Sequence, residues 1–189
     1  MEESTFINNY FEHFQEVAFD NSIEPLLLEL SSLLKAANAK GNKVIFAGNG
    51  ASATIASHCA LDFTKQAGIR AISFNDPAIL TAYANDYGYE HWVSKALEHY
   101  ADPGDITFLI SSSGASTNLI NGASYAQKAG LQVITLSGFE QNNPLKQLGD
   151  INLWADSKSY NIVETTHMLW LVALCDLIIG KREYSVSKN

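Results

Sequence analysis

The stretch Asp105-Ile106-Thr107-Phe108-Leu109-Ile110 and its continuation, Ser111-Ser112-Ser113-Gly114-Ala115-Ser116-Thr117-Asn118, decides how this chain folds. Asp105 to Ile110 reads as a buried strand, and from Thr117 to Ala129 small and apolar residues recur at helical spacing. A strand that ends in a serine-rich turn and passes straight into a helix is a unit of an α/β fold. At such a junction the first N–H groups of the helix have no intrahelical partner and carry the positive end of its dipole, so an anion is held without Lys or Arg. Ser111, Ser112, Ser113 and Ser116 add hydroxyls that rotate to suit phosphate oxygens. One or two serines here would be a helix cap. Four within six positions point to a loop that holds a phosphate.

Upstream, Lys43-Val44-Ile45-Phe46-Ala47 reads as a strand entering Gly48-Asn49-Gly50-Ala51-Ser52, followed by a helix from about Ala53 to Gln66. Gly48 and Gly50 permit close backbone approach to a ligand, while Asn49 and Ser52 offer side-chain hydrogen bonds. Two such loops on one sheet suggest one ligand gripped from two sides. The third glycine of G-x-G-x-x-G and the Gly-Lys-Ser/Thr ending of a P-loop are both absent, so no nucleotide cofactor is indicated.

Along the chain the order is two helices, then strands alternating with helices. Strands are expected over Lys43 to Ala47, Arg70 to Phe74, Asp105 to Ile110, Gln132 to Ser137 and Ile151 to Trp154. That pattern predicts an α/β fold, a three-layer αβα sandwich around a five-stranded parallel sheet. The leading helices run from Glu3 to Ala18 and from about Ile23 to Lys40, with Asn21 or Ser22 as cap and Pro25 in the first turn; a long helix from about Tyr160 to Gly180 closes the pattern. Phe6, Tyr10, Phe11 and Phe14 form an apolar stripe on the first helix, which serves either an oligomer contact or packing on its own domain.

A chain of 189 residues with 47% hydrophobic content builds one domain, residues 1–189, with a full core. The formal charge of -8 and the lack of any basic run argue against a nucleic-acid partner. The start, Met1-Glu2-Glu3-Ser4-Thr5, lacks the basic and apolar regions of a signal peptide, and His167 and Asp176 interrupt the last apolar stretch, so a cytoplasmic protein without a membrane segment is expected. Cys59 and Cys175, without paired ligand spacing, read as core residues.

Gly48-Asn49-Gly50-Ala51-Ser52, Ala84-Asn85-Asp86-Tyr87-Gly88-Tyr89, Pro103-Gly104-Asp105 and the serine loop together resemble a sugar isomerase (SIS) domain. Within that superfamily the chain most resembles the phosphoheptose isomerases, over nearly its whole length. The resemblance implies ketose–aldose isomerisation of sedoheptulose 7-phosphate, in heptose biosynthesis for lipopolysaccharide or capsule, by a homotetramer with sites at subunit boundaries. It places Asn49, Ser52, Asp86, Ser111, Ser112, Ser113 and Ser116 around a small phosphosugar. Asp86, taken without the motif, reads equally well as a cap or turn residue.

The isomerases use a glutamate and a histidine, and the aligned positions here are Asp62 and Val172. Asp62 is one methylene short, and Val172 moves no protons. Some relatives bind a divalent metal such as zinc, and the corresponding residues are His58, Asp62, Glu164 and Val172. The spacing of His58 and Asp62 puts both on one helix face. The resemblance thus implies one divalent ion per subunit on His58, Asp62 and Glu164, with Asp62 or Glu164 as base. His167, one helical turn from Glu164, stands either for the lost histidine or in a subunit contact. Each of these residues also has a plain reading, His58 as a hydrogen-bonded core histidine and the carboxylates as partners of Lys65 or solvent. The loss at Val172 carries an alternative function, a non-catalytic phosphosugar-binding regulator or assembly scaffold.

Overall fold

In the computed structural model, which describes residues 2–183, the elements follow in the order α1 (Glu3–Ala18), α2 (Ile23–Ala39), β1 (Val44–Gly48), α3 (Ala51–Lys65), β2 (Ala71–Ser73), α4 (Pro77–Tyr87), α5 (Trp92–Tyr100), β3 (Ile106–Ser111), α6 (Thr117–Lys128), β4 (Gln132–Ser137), β5 (Ile151–Trp154) and α7 (Tyr160–Ile179). All five strands are parallel, in the order β2-β1-β3-β4-β5. Successive side chains of a strand face opposite sides of the sheet. Phe46, Phe108 and Leu136 therefore join Leu30, Leu34, Phe63 and Leu171 under α2, α3 and α7, while Ile45, Leu109 and Val133 join Trp92, Leu97 and Leu119 under α5 and α6. The expected three-layer αβα arrangement is the one observed.

Differences from expectation are local and have physical causes. The β1–β3 ladder extends to Gly48 opposite Ile110, so Gly48 belongs to the strand, and α3 begins at Ala51. Gly48 allows this sharp return because a Cβ there would lie 2.6 Å from the Ser52 backbone. β2 is shorter than expected, three residues on the sheet edge. The interval after it holds two helices; Asp76 accepts from the N–H groups of Ala78 and Ile79 and caps the first of them, with Pro77 opening its first turn.

The stripe on α1 is divided. Tyr10 and Phe14 pack against the core, whereas Phe6, Ile7 and Phe11 are each about half exposed or more, at 55%, 49% and 62%. Trp170 of α7 ties the end of α1 down by donating to the Ala18 carbonyl at 2.8 Å. By length and apolarity α7 alone among the described helices is able to cross a membrane, but Ile162, Val163, Leu171 and Leu174 are spent in the core against the other helices. Cys59 and Cys175 are free and buried, and burial pushes their thiols up to about 12 and about 11.

At the N-terminal edge of the sheet an ion cluster joins the starts of β1 and β3. Lys43 Nζ lies 2.6 Å from both Asp105 and Asp102, the Lys43 N–H donates to Asp105 at 2.8 Å, and the Asp102 N–H does the same. Burial alone would raise the Asp105 carboxyl, but these donors outweigh it and hold the group below the usual carboxylate range. A depressed folded value means that the stabilisation is full above the unfolded carboxylate range and is lost as pH falls through the folded value. Asp105→Asn is expected to cost about 3 kcal/mol at neutral pH, because it leaves Lys43 without its buried partner. It should also blunt the loss of stability below about pH 4. Urea midpoints across pH test this, and superimposable curves for variant and parent would refute it.

Candidate functional site

The strand order reverses direction between β1 and β3: the chain goes one way to β2 and the other way to β4 and β5. Ligands of open parallel sheets settle at the carboxyl ends of strands at such a point. Here a cleft of about 130 Å³ opens, lined by Asn49, Ser52, Ile110, Ser111, Ser112, Ser113, Ser116, Tyr160 and Glu164. The structure thus gathers six of the residues the resemblance places on a phosphosugar. Asp86 is not among them; it is exposed in the last turn of α4 and accepts from Asn85 at 2.9 Å. Its segment still reaches the cleft through Tyr89, whose hydroxyl donates to Asn49 Oδ1 at 3.0 Å.

The serine loop is shaped from within and from behind. Ser111 Oγ donates to Ser116 Oγ at 3.1 Å, Ser113 Oγ accepts from the Ala115 N–H at 3.2 Å, and Ser112 Oγ donates to Glu164 Oε1 at 3.1 Å. Behind it, the N–H groups of Gly138 and Leu145 donate to the carbonyls of Ser112 and Gly114, each at 2.9 Å. Gly114 has φ +64°, and a Cβ there would meet the buried Asn143 side chain. No side chain caps α3 or α6. Among the described residues no Lys or Arg lines the cleft, so helix ends and hydroxyls are what they offer an anion there.

A pair of asparagines bridges the two loops. Asn49 Nδ2 donates to Asn118 Oδ1 at 3.0 Å, and Asn118 Nδ2 returns a bond to Asn49 Oδ1 at 2.9 Å. Sequence reasoning singled out Asn49 but neither Asn118, Tyr89 nor Tyr160. The signal available for Asn118 was a weak helix former inside the first turn of α6.

The expected metal ligands are not brought together. His58 Nε2 lies 3.1 Å from Asp62 Oδ2, one turn apart on α3, but Glu164 turns its carboxylate to Ser112. Among the described residues no three His, Cys, Asp or Glu side chains group so as to hold an ion. The donor set of a single chain therefore does not fit the divalent metal. The reading of His167 as a catalytic group is also corrected. Its ring is fully buried, Nε2 lies 3.1 Å from the Ser137 carbonyl, and burial drops its pKa to about 4, leaving it neutral. Three residues advance a helix by about 300°, a net offset of about 60°, and that offset turns the ring into the packing against β4 while Glu164 stays at the cleft rim. Val172 is half-buried and apolar.

A larger cavity of about 500 Å³ lies beneath the end of α1, lined by His13, Glu16, Asp20 and Asp156 among others. Its carboxylates repel anions, so the smaller cleft is the candidate site despite its size.

Comparison with known proteins agrees with this geometry. The SIS domain family matches residues 8–138. A phosphoheptose isomerase from Aliarcobacter butzleri is 33% identical over 184 residues, 93% of this chain and 96% of that protein. The structure of a phosphoheptose isomerase from Francisella tularensis superposes with a TM-score of 0.87 at 28% identity, covering 96% of this chain and all of that one. One from Neisseria gonorrhoeae gives 0.84 at 27% identity, covering 93% and 96%. The chain belongs to the SIS domain family, and within it groups with the phosphoheptose isomerases.

Proposed function

We propose that this protein isomerises a ketose phosphate to an aldose phosphate, with sedoheptulose 7-phosphate as substrate, in heptose biosynthesis for a surface polysaccharide in the cytoplasm. The observation that carries the reading is the convergence of the serine hydroxyls and the starts of α3 and α6 on one cleft at the β1–β3 crevice. A phosphate seated there leaves the sugar to run along α3.

The reaction needs a base that takes a proton from C1 of the ketose, giving an enediol, and returns it to C2 while a proton moves between the two oxygens. On α3, His58 lies about 9 Å and Asp62 about 15 Å along the axis from Ser52, and helical side chains tilt back toward the N-terminus. In this reading the His58–Asp62 pair, 3.1 Å apart at its nearest nitrogen and oxygen, stands toward the far end of a seven-carbon chain whose phosphate is held at the serine loop. Asp62 is the base in this reading, and His58 moves the proton between O1 and O2. Glu164, bound to Ser112 at the phosphate end, accepts from a sugar hydroxyl.

The cleft is smaller than the roughly 300 Å³ of ordinary ligand pockets, and Asp86 and the aromatic face of α1 stand exposed. A homotetramer in which a neighbouring subunit completes the site accounts for both. One observation, the apolar Val172 where the resemblance puts a histidine, favours the second reading, a non-catalytic phosphosugar-binding regulator.

NMR observation of sedoheptulose 7-phosphate with metal-free and zinc-loaded protein in parallel decides between them. Turnover by the metal-free form is expected, since the His58–Asp62 pair is complete without an ion; binding without turnover in both forms would establish the regulator. Asp62→Asn should lower kcat at least about 100-fold. Ser113→Ala combined with Ser116→Ala should weaken phosphosugar binding about 100-fold by removing hydrogen bonds to a charged group, with the melting temperature preserved. Unchanged affinity in that double variant would remove the phosphate from the serine loop. Phe11→Glu should shift sedimentation to smaller species and reduce activity together, and an intact tetramer would count against α1 as the contact.

A further inference from the structure

We propose that Glu164 divides the serine loop between the two ends of its ligand. By taking the one hydrogen of Ser112 it turns the Ser112–Glu164 corner into an acceptor for a sugar hydroxyl, and it leaves the phosphate to Ser113, Ser116 and the opening N–H groups of α6. The inference rests on the phosphosugar reading above and deepens it by assigning which serines hold the anion.

A serine hydroxyl has one hydrogen and two lone pairs, so it donates or accepts according to its partner. Two neighbours in this loop have partners that allow a single answer each. Ser112 Oγ lies 3.1 Å from Glu164 Oε1, and a carboxylate has lone pairs alone, so the Ser112 hydrogen goes to Glu164. Turning the carboxylate over only brings an equivalent oxygen to the same place. Ser113 Oγ lies 3.2 Å from the Ala115 backbone nitrogen, which has only a hydrogen to give, so Ser113 accepts there and keeps its own hydrogen for a ligand oxygen. Both Ser112 and Glu164 line the cleft, and what they present to it is lone pairs and a negative charge. A phosphate oxygen bonded to Ser112 would lie within about 6 Å of Glu164 Oε1, the 3.1 Å contact plus one more hydrogen bond. At that separation the repulsion between a phosphate dianion and a carboxylate weakens binding about tenfold even at the dielectric constant of water. Among the described residues no Lys or Arg lines the cleft to offset it. A sugar hydroxyl has no charge to repel and has the hydrogen that the corner lacks.

The test is calorimetric binding of inorganic phosphate and of sedoheptulose 7-phosphate to the full chain and to Ser112→Ala, Ser113→Ala, Glu164→Gln and Ser112→Ala combined with Glu164→Gln, with melting temperatures measured free of phosphate. Ser113→Ala should weaken inorganic phosphate about tenfold, and Ser112→Ala by less than about twofold. Glu164→Gln keeps the shape, removes the charge and brings an amide that donates to Ser112 Oγ, which releases the Ser112 hydrogen. It should bind inorganic phosphate about tenfold more tightly than the parent. In that background Ser112→Ala should weaken phosphate about fivefold, a dependence absent from the parent. The preference for sedoheptulose 7-phosphate over inorganic phosphate should fall about tenfold in Glu164→Gln, because the sugar hydroxyl loses its charged acceptor. A purely structural role for Glu164 would weaken both probes in step with melting temperature. Should Ser112→Ala fail to fold, Glu164→Gln and Ser113→Ala carry the test. A Ser112→Ala loss equal to that of Ser113→Ala, or a Glu164→Gln protein whose phosphate affinity is unchanged or lower, overturns the inference and leaves the phosphosugar reading intact. A parent protein that binds neither probe overturns both.

Discussion

The pairing of β1 with β3 is the constraint to which the rest of this molecule is referred. The two strands are far apart in sequence, yet they lie side by side over five paired positions, Val44 opposite Ile106 through Gly48 opposite Ile110. At one end Lys43 and Asp105 close the ladder with a buried ion pair. At the other the strands release Asn49 and the serine loop into the same crevice. A slip of one residue in this register would turn Phe46 and Phe108 to the wrong face and separate Asn49 from Asn118. Burial on both faces is thus what aligns the polar groups at the edge.

An acidic protein that binds an anion has a conflict to resolve, and the cleft resolves it locally. Its formal charge is -8, and the cavity beneath the end of α1 is lined by carboxylates. The cleft instead presents serine hydroxyls, an amide and the starts of two helices, all at short range, where the oriented partial charges outweigh a diffuse net charge screened by solvent. Among the described residues Glu164 is the one carboxylate on its wall, and Ser112 satisfies one of its oxygens. The hydroxyls cluster at the sheet edge, while the close pair His58 and Asp62 lies further along α3.

What was legible in the sequence was whatever depends on neighbours in the chain. Alternating apolar runs and serine- or glycine-rich junctions located every strand of the sheet to within about a residue at most ends, and six side chains of the cleft with them. Boundaries moved where a long-range contact decided them, as at Gly48, whose close approach to Ser52 lets the strand run one residue further. The misplaced residues share a cause. Whether His167 faces ligand or core, and whether Glu164 reaches His58 and Asp62, depends on rotation about α7 and on a rotamer, neither of which periodicity in an all-round apolar helix reveals. Asn118 was invisible for the converse reason: its partner lies 69 positions away, and only the fold makes them a pair.

The backbone of the serine loop takes its path from donors on Gly138 and Leu145, both of which follow β4. Synthesis runs from the N-terminus, so a nascent chain that has reached Ala129 already contains every serine of the loop and neither of the N–H groups that shape it. The loop's path is therefore complete only once β4 lies beside β3, and a ligand held there stabilises the finished sheet.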